Sequence, residues 1–328
     1  MHLRILFVSA LLILTFHSNA SGLIPFENLS PIIGQLPQAT YPSNPQNQKS
    51  NWVYSIEATT ANYISSRSDN GVTYYIDGET TLVSQSLAYQ LDESTIGILL
   101  PWQNHGNGVL DRPIYDFHDF FGMPQNGRTD SNIENLSWSL SQNGNQQYLL
   151  ESSKQALGDI ELFIETSPSA FDSTALRFGV QLPTGNSNAR SSADAWGVAL
   201  SSLTNESIIP SPDSILPPLS YWYGVGLNYV SDTDEVSFVS QHNIVASGVA
   251  GLGIDVSKTW GLNAQLNANT PYFDTEIREL GWVPIILSVG ADIYFLRNKL
   301  MLGFSEDLRP NTSPDFSVYF SWTHYFNE

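Results

Sequence analysis

The 328-residue sequence predicts an all-β protein: a closed transmembrane antiparallel barrel of about twelve strands, with fourteen as the alternative count. Three observations carry this expectation. Runs of residues alternate apolar and polar with a period of two along most of the chain, aromatic residues gather at the ends of those runs, and an export signal stands at the start.

Residues 1–20 hold Arg4, an apolar stretch from Ile5 to Phe16, and Ser18-Asn19-Ala20 before a cut expected after Ala20. Such a stretch is shorter than the roughly twenty residues a membrane-spanning helix needs, so it reads as a secretory signal. Removing it takes one base, Arg4, from the 13 Lys+Arg (13 − 1 = 12) and none of the 32 Asp+Glu, which leaves a net charge of 12 − 32 = −20. Nucleic acid is excluded as a partner by that balance, because phosphate neutralisation needs basic patches. Cysteine is absent, so neither a disulfide framework nor a lipid-anchoring cysteine is expected.

Residues 21–50 form an arm punctuated by Pro25, Pro31, Pro37, Pro42 and Pro45, which discourage both helix and central strand. The arm is expected to be extended or to enter the barrel lumen. From residue 51 to the end the dyad pattern takes over. Trp52, Tyr54, Ile56 and Ala58 alternate with Val53, Ser55, Glu57 and Thr59; Leu176, Phe178 and Val180 alternate with Ala175, Arg177 and Gly179. Tyr223, Val225, Leu227 and Tyr229 stand against Trp222, Gly224, Gly226 and Asn228, and Leu262 to Asn269 repeat the scheme. Trp52, Trp102, Tyr221, Trp222, Trp260, Trp282, Trp322 and Tyr325 are read as aromatic girdles. Residues 203–219 read as a Pro-interrupted loop, and residues 235–257 as one long strand or two short ones. Asn143-Gly144 between two short runs is a hairpin signal, and Leu91-Asp92-Glu93-Ser94 joins another pair. The closing strand is FSVYFSWTHYF, whose Phe316, Val318, Phe320, Trp322 and Phe326 share one face.

An insert over residues 104–131 breaks the alternation. Within LDRPIYDFHDFFGMP, Ile114, Phe117 and Phe121 recur at helical spacing, with Asp111 and Pro113 as start signals and Gly122 and Pro124 as stops. His118 with Asp111, Asp116 and Asp119 could be read as an acid–base or metal cluster, with His105 as a distant second ligand. Metal binding would want two histidines on one face, and a hydrolase would want a serine beside its histidine; the insert has neither. It is therefore expected to be a structural cap or plug, with a gating site for a ligand as the alternative; no catalytic residue, metal or cofactor is assigned. Asp77, Glu79, Asp111, His118, Asp119, Arg128, Arg177, Glu306 and Asp307 are the candidate cap and lumen residues. Their bland reading is a network fixing strand register, since charges at membrane depth avoid lipid, and their sharper reading is a cation-attracting constriction. Asp159, Glu161, Glu165, Asp255 and Asp292 are expected to point inward, with Arg177 as the main base among them.

YIDGETT (75–81), GVLDRPIYDFHDFFGMPQNGR (108–128), LGDIEL (157–162), LRFGVQLPTGN (176–186) and SEDLRPNTSPDF (305–316) occur in that order, and Asn28-Leu29-Ser30-Pro31 lies in the arm. Together they resemble an uncharacterised bacterial family of outer-membrane-type β-barrels. The resemblance implies the fold and an outer-membrane location and brings no activity with it. The expectations that follow are a barrel passing or binding a small solute, a non-conducting structural or envelope-interaction barrel, or, as the least favoured, an outer-membrane enzyme. Lipid, lipopolysaccharide and a barrel-assembly machinery reading the C-terminal strand are the expected partners.

Overall fold

The computed structural model describes residues 22–43, 51–69, 71–92, 94–122, 135–168, 173–208, 217–234, 236–257 and 259–326. The expected signal peptide at 1–20 lies outside the described residues, as do Arg128 and the part of the insert beyond Gly122 up to residue 134.

Twelve antiparallel strands close into a barrel: β1 (Trp52–Asp69), β2 (Val72–Leu91), β3 (Ser94–Gly106), β4 (Ile160–Thr166), β5 (Thr174–Leu182), β6 (Gly197–Ile208), β7 (Leu219–Val230), β8 (Ile244–Asp255), β9 (Trp260–Asn269), β10 (Ile285–Phe295), β11 (Asn298–Asp307) and β12 (Phe316–Phe326). Each pairs with its sequence neighbour, and β1 meets β12 in a seam running from Trp52 opposite Phe326 to Asn62 opposite Phe316. Closure leaves neither end of the sheet with an unpaired edge, which a hydrocarbon surrounding requires. The strand count of twelve is the preferred one, because residues 244–255 form a single strand. The loop expected over 203–219 is shorter than its prolines suggested: β6 runs on to Ile208, where Leu203 is buried inside the barrel and Thr204 still pairs with Tyr223.

The dyad pattern sorts cleanly. Leu162, Ile164, Phe178, Leu200, Val225, Leu227, Leu252, Leu262, Leu266 and Phe304 are exposed on the outer surface, while Glu161, Arg177, Ser201, Asn228, Asn263, Gln265 and Asn267 are buried inside. An outward apolar band around a polar interior is the pattern of a barrel solvated by lipid. Two of the expected girdle residues face inward instead. Trp222 is 1% exposed and its Nε1 donates to Gln265 Oε1, and Tyr325 lines the lumen. Alternation decides this: Trp222 shares its face with Gly224, Gly226 and Asn228.

β1 and β2, with 18 and 20 residues, are longer than the roughly 9–11 a spanning strand needs, so the wall rises higher there. The upper part of β2, Val72–Asp77, pairs with Ser137–Gln142, which turns at Asn143-Gly144 into Asn145–Leu150. Both turn residues have positive φ, 50° and 80°, the conformation Asn-Gly favours in a tight hairpin. Lys154–Leu157 pairs with the end of β3 just before β4 begins. The insert contributes helix α1 (Asp111–Phe121), an 11-residue element matching the expected one. The start of β1, the end of β12, the β2–β3 turn and the start of β9 share one end of the barrel, called the termini end below, and helix α1 and the 183–196 and 270–284 connections share the other, as do the described residues of 231–243.

Candidate functional site

The arm fills the lumen. Near the termini end Gly22 lies beside Asn205, and Ile24 is gripped by Gln265, whose Oε1 accepts from Ile24 N (3.0 Å) while its Nε2 donates to Ile24 O (2.9 Å). The Ile24 side chain packs on Met301 and Tyr319, and Leu29 packs on Ala61 and Leu82. Asn28 Oδ1 accepts from both the backbone and the hydroxyl of Ser30, a local turn that Pro31 continues into a 3-10 turn at Ile33–Gln35. The chain then descends. Pro37 O accepts from Asn228 Nδ2 (2.6 Å) and Tyr272 Oη (3.1 Å), Thr40 O from Ser201 Oγ (2.6 Å), and Tyr41 Oη donates to Ser247 Oγ (2.9 Å). Finally Ser43 N and Oγ donate to the two oxygens of Glu165. The arm therefore enters and leaves at the termini end.

Small residues on the inner wall make room for it. A Cβ at Gly197 would meet Pro37, one at Gly226 would meet Ala39 at 3.2 Å, and one at Gly224 would meet Tyr41 at 3.1 Å. Glycine in a strand marks a close approach, and here the side chains of the descending limb, Pro37, Ala39 and Tyr41, occupy the space.

At the insert end the arm's tip joins an apolar stopper. Ile32, Ile33 and Leu36 pack with Tyr63, Trp138, Tyr148, Tyr272, Phe273 and Leu280, all buried. Trp138, from the Asn-Gly hairpin, stacks edge-on against Tyr63 and His105 at centroid distances of 5.5 and 4.7 Å.

The acidic motifs act at this rim. Glu79 accepts from Val109 N (2.8 Å), Leu110 N (2.5 Å) and Asn62 Nδ2 (3.2 Å), and Asn62 Nδ2 also donates to Asp111 Oδ1 (2.7 Å). Glu79 and Asp111 thus satisfy and neutralise the start of α1, where free amides and the helix dipole favour negative charge. Asp77 is 1% exposed and accepts from Tyr75 Oη and Asn135 Nδ2. His105 donates from Nε2 to Arg190 O, and its Nδ1 faces Thr80 Oγ1, both at 2.9 Å, so its two ring nitrogens are already used. Asp119 is exposed on α1, and the side chain of His118 lies outside the described residues. On α1 Phe120 is 81% exposed, whereas Ile114 is buried. Glu306 is exposed on the outer side of β11, and Asp307 turns inward, half-buried.

Arg177 sits inside the barrel between two acids. Its Nη2 lies 2.9 Å from Glu161 Oε1, its Nη1 lies 2.7 Å from Glu165 Oε1, and its guanidinium covers the Phe163 ring at 3.6 Å. These carboxylates reach back to the arm, since Thr40 Oγ1 donates to Glu161 Oε1 (2.9 Å). Asp159, just outside β4, accepts from Gly185 N and Ser192 Oγ; burial nevertheless pushes its carboxyl up to about 6. Sequence reasoning placed the inner acids but missed Lys299, which pairs with Asp292 at 3.5 Å, and the grip of Gln265, Asn228 and Ser201 on the arm. The available signal was amide and hydroxyl residues on the glycine-bearing polar faces. Among the described residues no group of three or more His, Cys, Asp or Glu side chains is placed to hold a metal ion.

Residues 2–326 match the family described as "Protein of unknown function (DUF3187)". No curated protein matches the sequence significantly. Among solved structures, the fold is similar to the translocator domain of autotransporter NalP from Neisseria meningitidis at 11% identity and a TM-score of 0.43, with 86% of this chain and 91% of that chain covered. The beta domain of the Bordetella autotransporter BrkA gives 11% identity, a TM-score of 0.44 and coverage of 85% and 100%. The Ralstonia pickettii toluene transporter TbuX gives 9%, 0.38, and coverage of 92% and 99%.

Proposed function

The chain belongs to that DUF3187 family of unknown function, and on this premise we propose that it is an outer-membrane barrel for a small solute, held closed by its own N-terminal arm. The supporting observation is the arm's course from Gly22 to Ser43, up and back inside the lumen, bonded to Gln265, Asn228, Ser201 and Glu165 on separate strands. In barrels of this class short turns face the periplasm and long loops the outside, which sets the termini end and the arm's ends on the periplasmic side. The outward apolar faces suit lipid and lipopolysaccharide, and β12 suits an assembly machinery that recognises a closing strand. No reaction is assigned: the one hydroxyl described above beside a histidine, Thr80 Oγ1 at His105 Nδ1, is buried, and His105 Nε2 donates to the Arg190 carbonyl rather than to a carboxylate.

The apolar stopper favours a second reading, a barrel that never conducts and serves the envelope structurally. Planar-bilayer conductance separates the two. Full-length mature protein should be nearly silent, and protein lacking residues 22–43 should give channels that favour cations, since Glu161, Glu165 and Asp292 line the wall. A folded, arm-deleted barrel that stays silent, or anion selectivity in dilute salt, would overturn the solute reading.

A further inference from the structure

The arm does not fill the lumen evenly. Between its limbs and the inner faces of β1, β2, β11 and β12 a cavity of about 320 Å³ remains, reaching Gln90, Thr323 and Tyr325 at the termini end.

The charges lining this cavity are not balanced. Arg177 is taken by Glu161 and Glu165, and Lys299 by Asp292. Glu27 on the arm and Glu57 on β1 face the same space, and among the described residues neither carboxylate has an ion pair or a hydrogen bond; Arg177 and Lys299 act on Glu57 only from a distance, each being paired with other acids. Burial, then the charges of Glu57 and Glu161, push the Glu27 carboxyl up to about 7. A nearby positive charge would relieve that, with release of a proton on binding.

Ser84 supplies an independent observation. It stands directly opposite Glu57 in the β1–β2 register, is 3% exposed, lines the cavity, and its Oγ has no hydrogen-bond partner among the described residues. Buried hydroxyls are almost always satisfied, so an unmade bond aimed into a cavity marks where a ligand group belongs. Phe26, Tyr41 and Tyr325 add aromatic wall, and aromatic ring faces attract organic cations.

We propose that this cavity binds a small organic cation of the alkylammonium or diamine class, with Glu27 and Glu57 neutralising it and Ser84 Oγ accepting an N–H. Calcium fits less well, because it takes about six to eight oxygen ligands and no three acids converge here among the described residues. The proposal deepens the solute reading above; it requires the arm to be in place and does not require conduction.

The test is calorimetric titration of the full-length mature barrel in detergent with putrescine, calcium and glutarate, at low salt because screening weakens such binding. Putrescine should bind saturably with proton release, glutarate should not bind, and Glu27→Gln or Glu57→Gln should weaken putrescine about tenfold each. Ser84→Ala, the mildest change, should weaken it about threefold, and heat-dependent gel mobility shows which variants are folded. No saturable putrescine binding, calcium binding in its place, or a folded Glu27→Gln/Glu57→Gln double variant that binds like the parent overturns the proposal. Binding of putrescine by a barrel whose arm deletion stays silent would retain the site and refute the channel.

Discussion

Replacing Arg177 by Met tests whether the inner wall is held by charge or only decorated with it. The substitution keeps an unbranched apolar stem and removes the guanidinium from over Phe163 and from Glu161 and Glu165, whose side chains are 8% and 1% exposed. Breaking a buried pair by deleting one partner costs about 3–5 kcal/mol, because a charge is left desolvated without compensation. Two carboxylates are stranded here, but Thr40 and Ser43 still donate to them and a cavity lies alongside, so the lower end of that range, about 3 kcal/mol, is expected. Urea unfolding in liposomes, followed by tryptophan fluorescence, measures it. Adding Glu161→Gln and Glu165→Gln to Arg177→Met removes the stranded charges and should recover most of the loss, which distinguishes electrostatics from packing. A loss of under about 1 kcal/mol, or a triple variant no better than the single, would refute the argument that these groups are desolvated.

Deleting Phe316–Glu328 leaves β1 and β11 with open edges across the whole β1–β12 register, so the truncated chain should fail to insert and should be degraded, as membrane fractionation will show. Glu79→Ala strips the acceptor from Val109 N, Leu110 N and Asn62, so chymotrypsin should cut after Tyr115 at least several-fold faster while the barrel keeps its heat-dependent mobility. The Asp159 carboxyl is raised to about 6 from an ordinary value near 3.8, so the folded state binds its proton more tightly than the unfolded one. Its contribution is therefore most favourable at low pH and is lost as pH rises through about 6, and the hydrogen-exchange protection factors of the 183–197 segment, taken against the intrinsic rate at each pH, should rise between pH 7 and 5, a dependence that Asp159→Asn should flatten.

The barrel was legible because alternation is a local signal that every strand repeats, as in Leu262 to Asn269, where each apolar residue faces out and each amide faces in. The insert helix was legible for the same reason, its caps and period lying within fifteen residues. Less legible was what fills the lumen. The prolines of 21–50 exclude helix and strand, yet the arm's conformation is set by partners up to 241 residues away, such as Gln265 for Ile24. Trp222 shows the limit of composition: an aromatic near a strand end suggests a girdle, but its parity with Asn228 already assigned it to the inside. Asp77, Glu79 and Asp111 were singled out together without their mutual geometry. Asn62, the residue that joins Glu79 to Asp111, carries no motif of its own.

Two chemistries hold the arm, and they divide it. Its limbs are fixed mainly by hydrogen bonds to Gln265, Asn228, Ser201 and Glu165, each of which water could replace at a net cost of about 1 kcal/mol if the lumen were wet. Its tip is fixed by burial of Ile32, Ile33 and Leu36, for which water offers no substitute. A ligand arriving from the termini end therefore meets the exchangeable part first: the cavity of Glu57 and Ser84 lies beside the limbs, and the stopper lies beyond it toward the insert end. Filling that cavity and opening the barrel are separable events on this geometry. Since both ends of the arm leave by the same mouth, the tip could be withdrawn without threading the chain through the wall, and the energy that holds it is concentrated in the apolar cluster around Trp138 and Phe273 rather than in the polar bonds below.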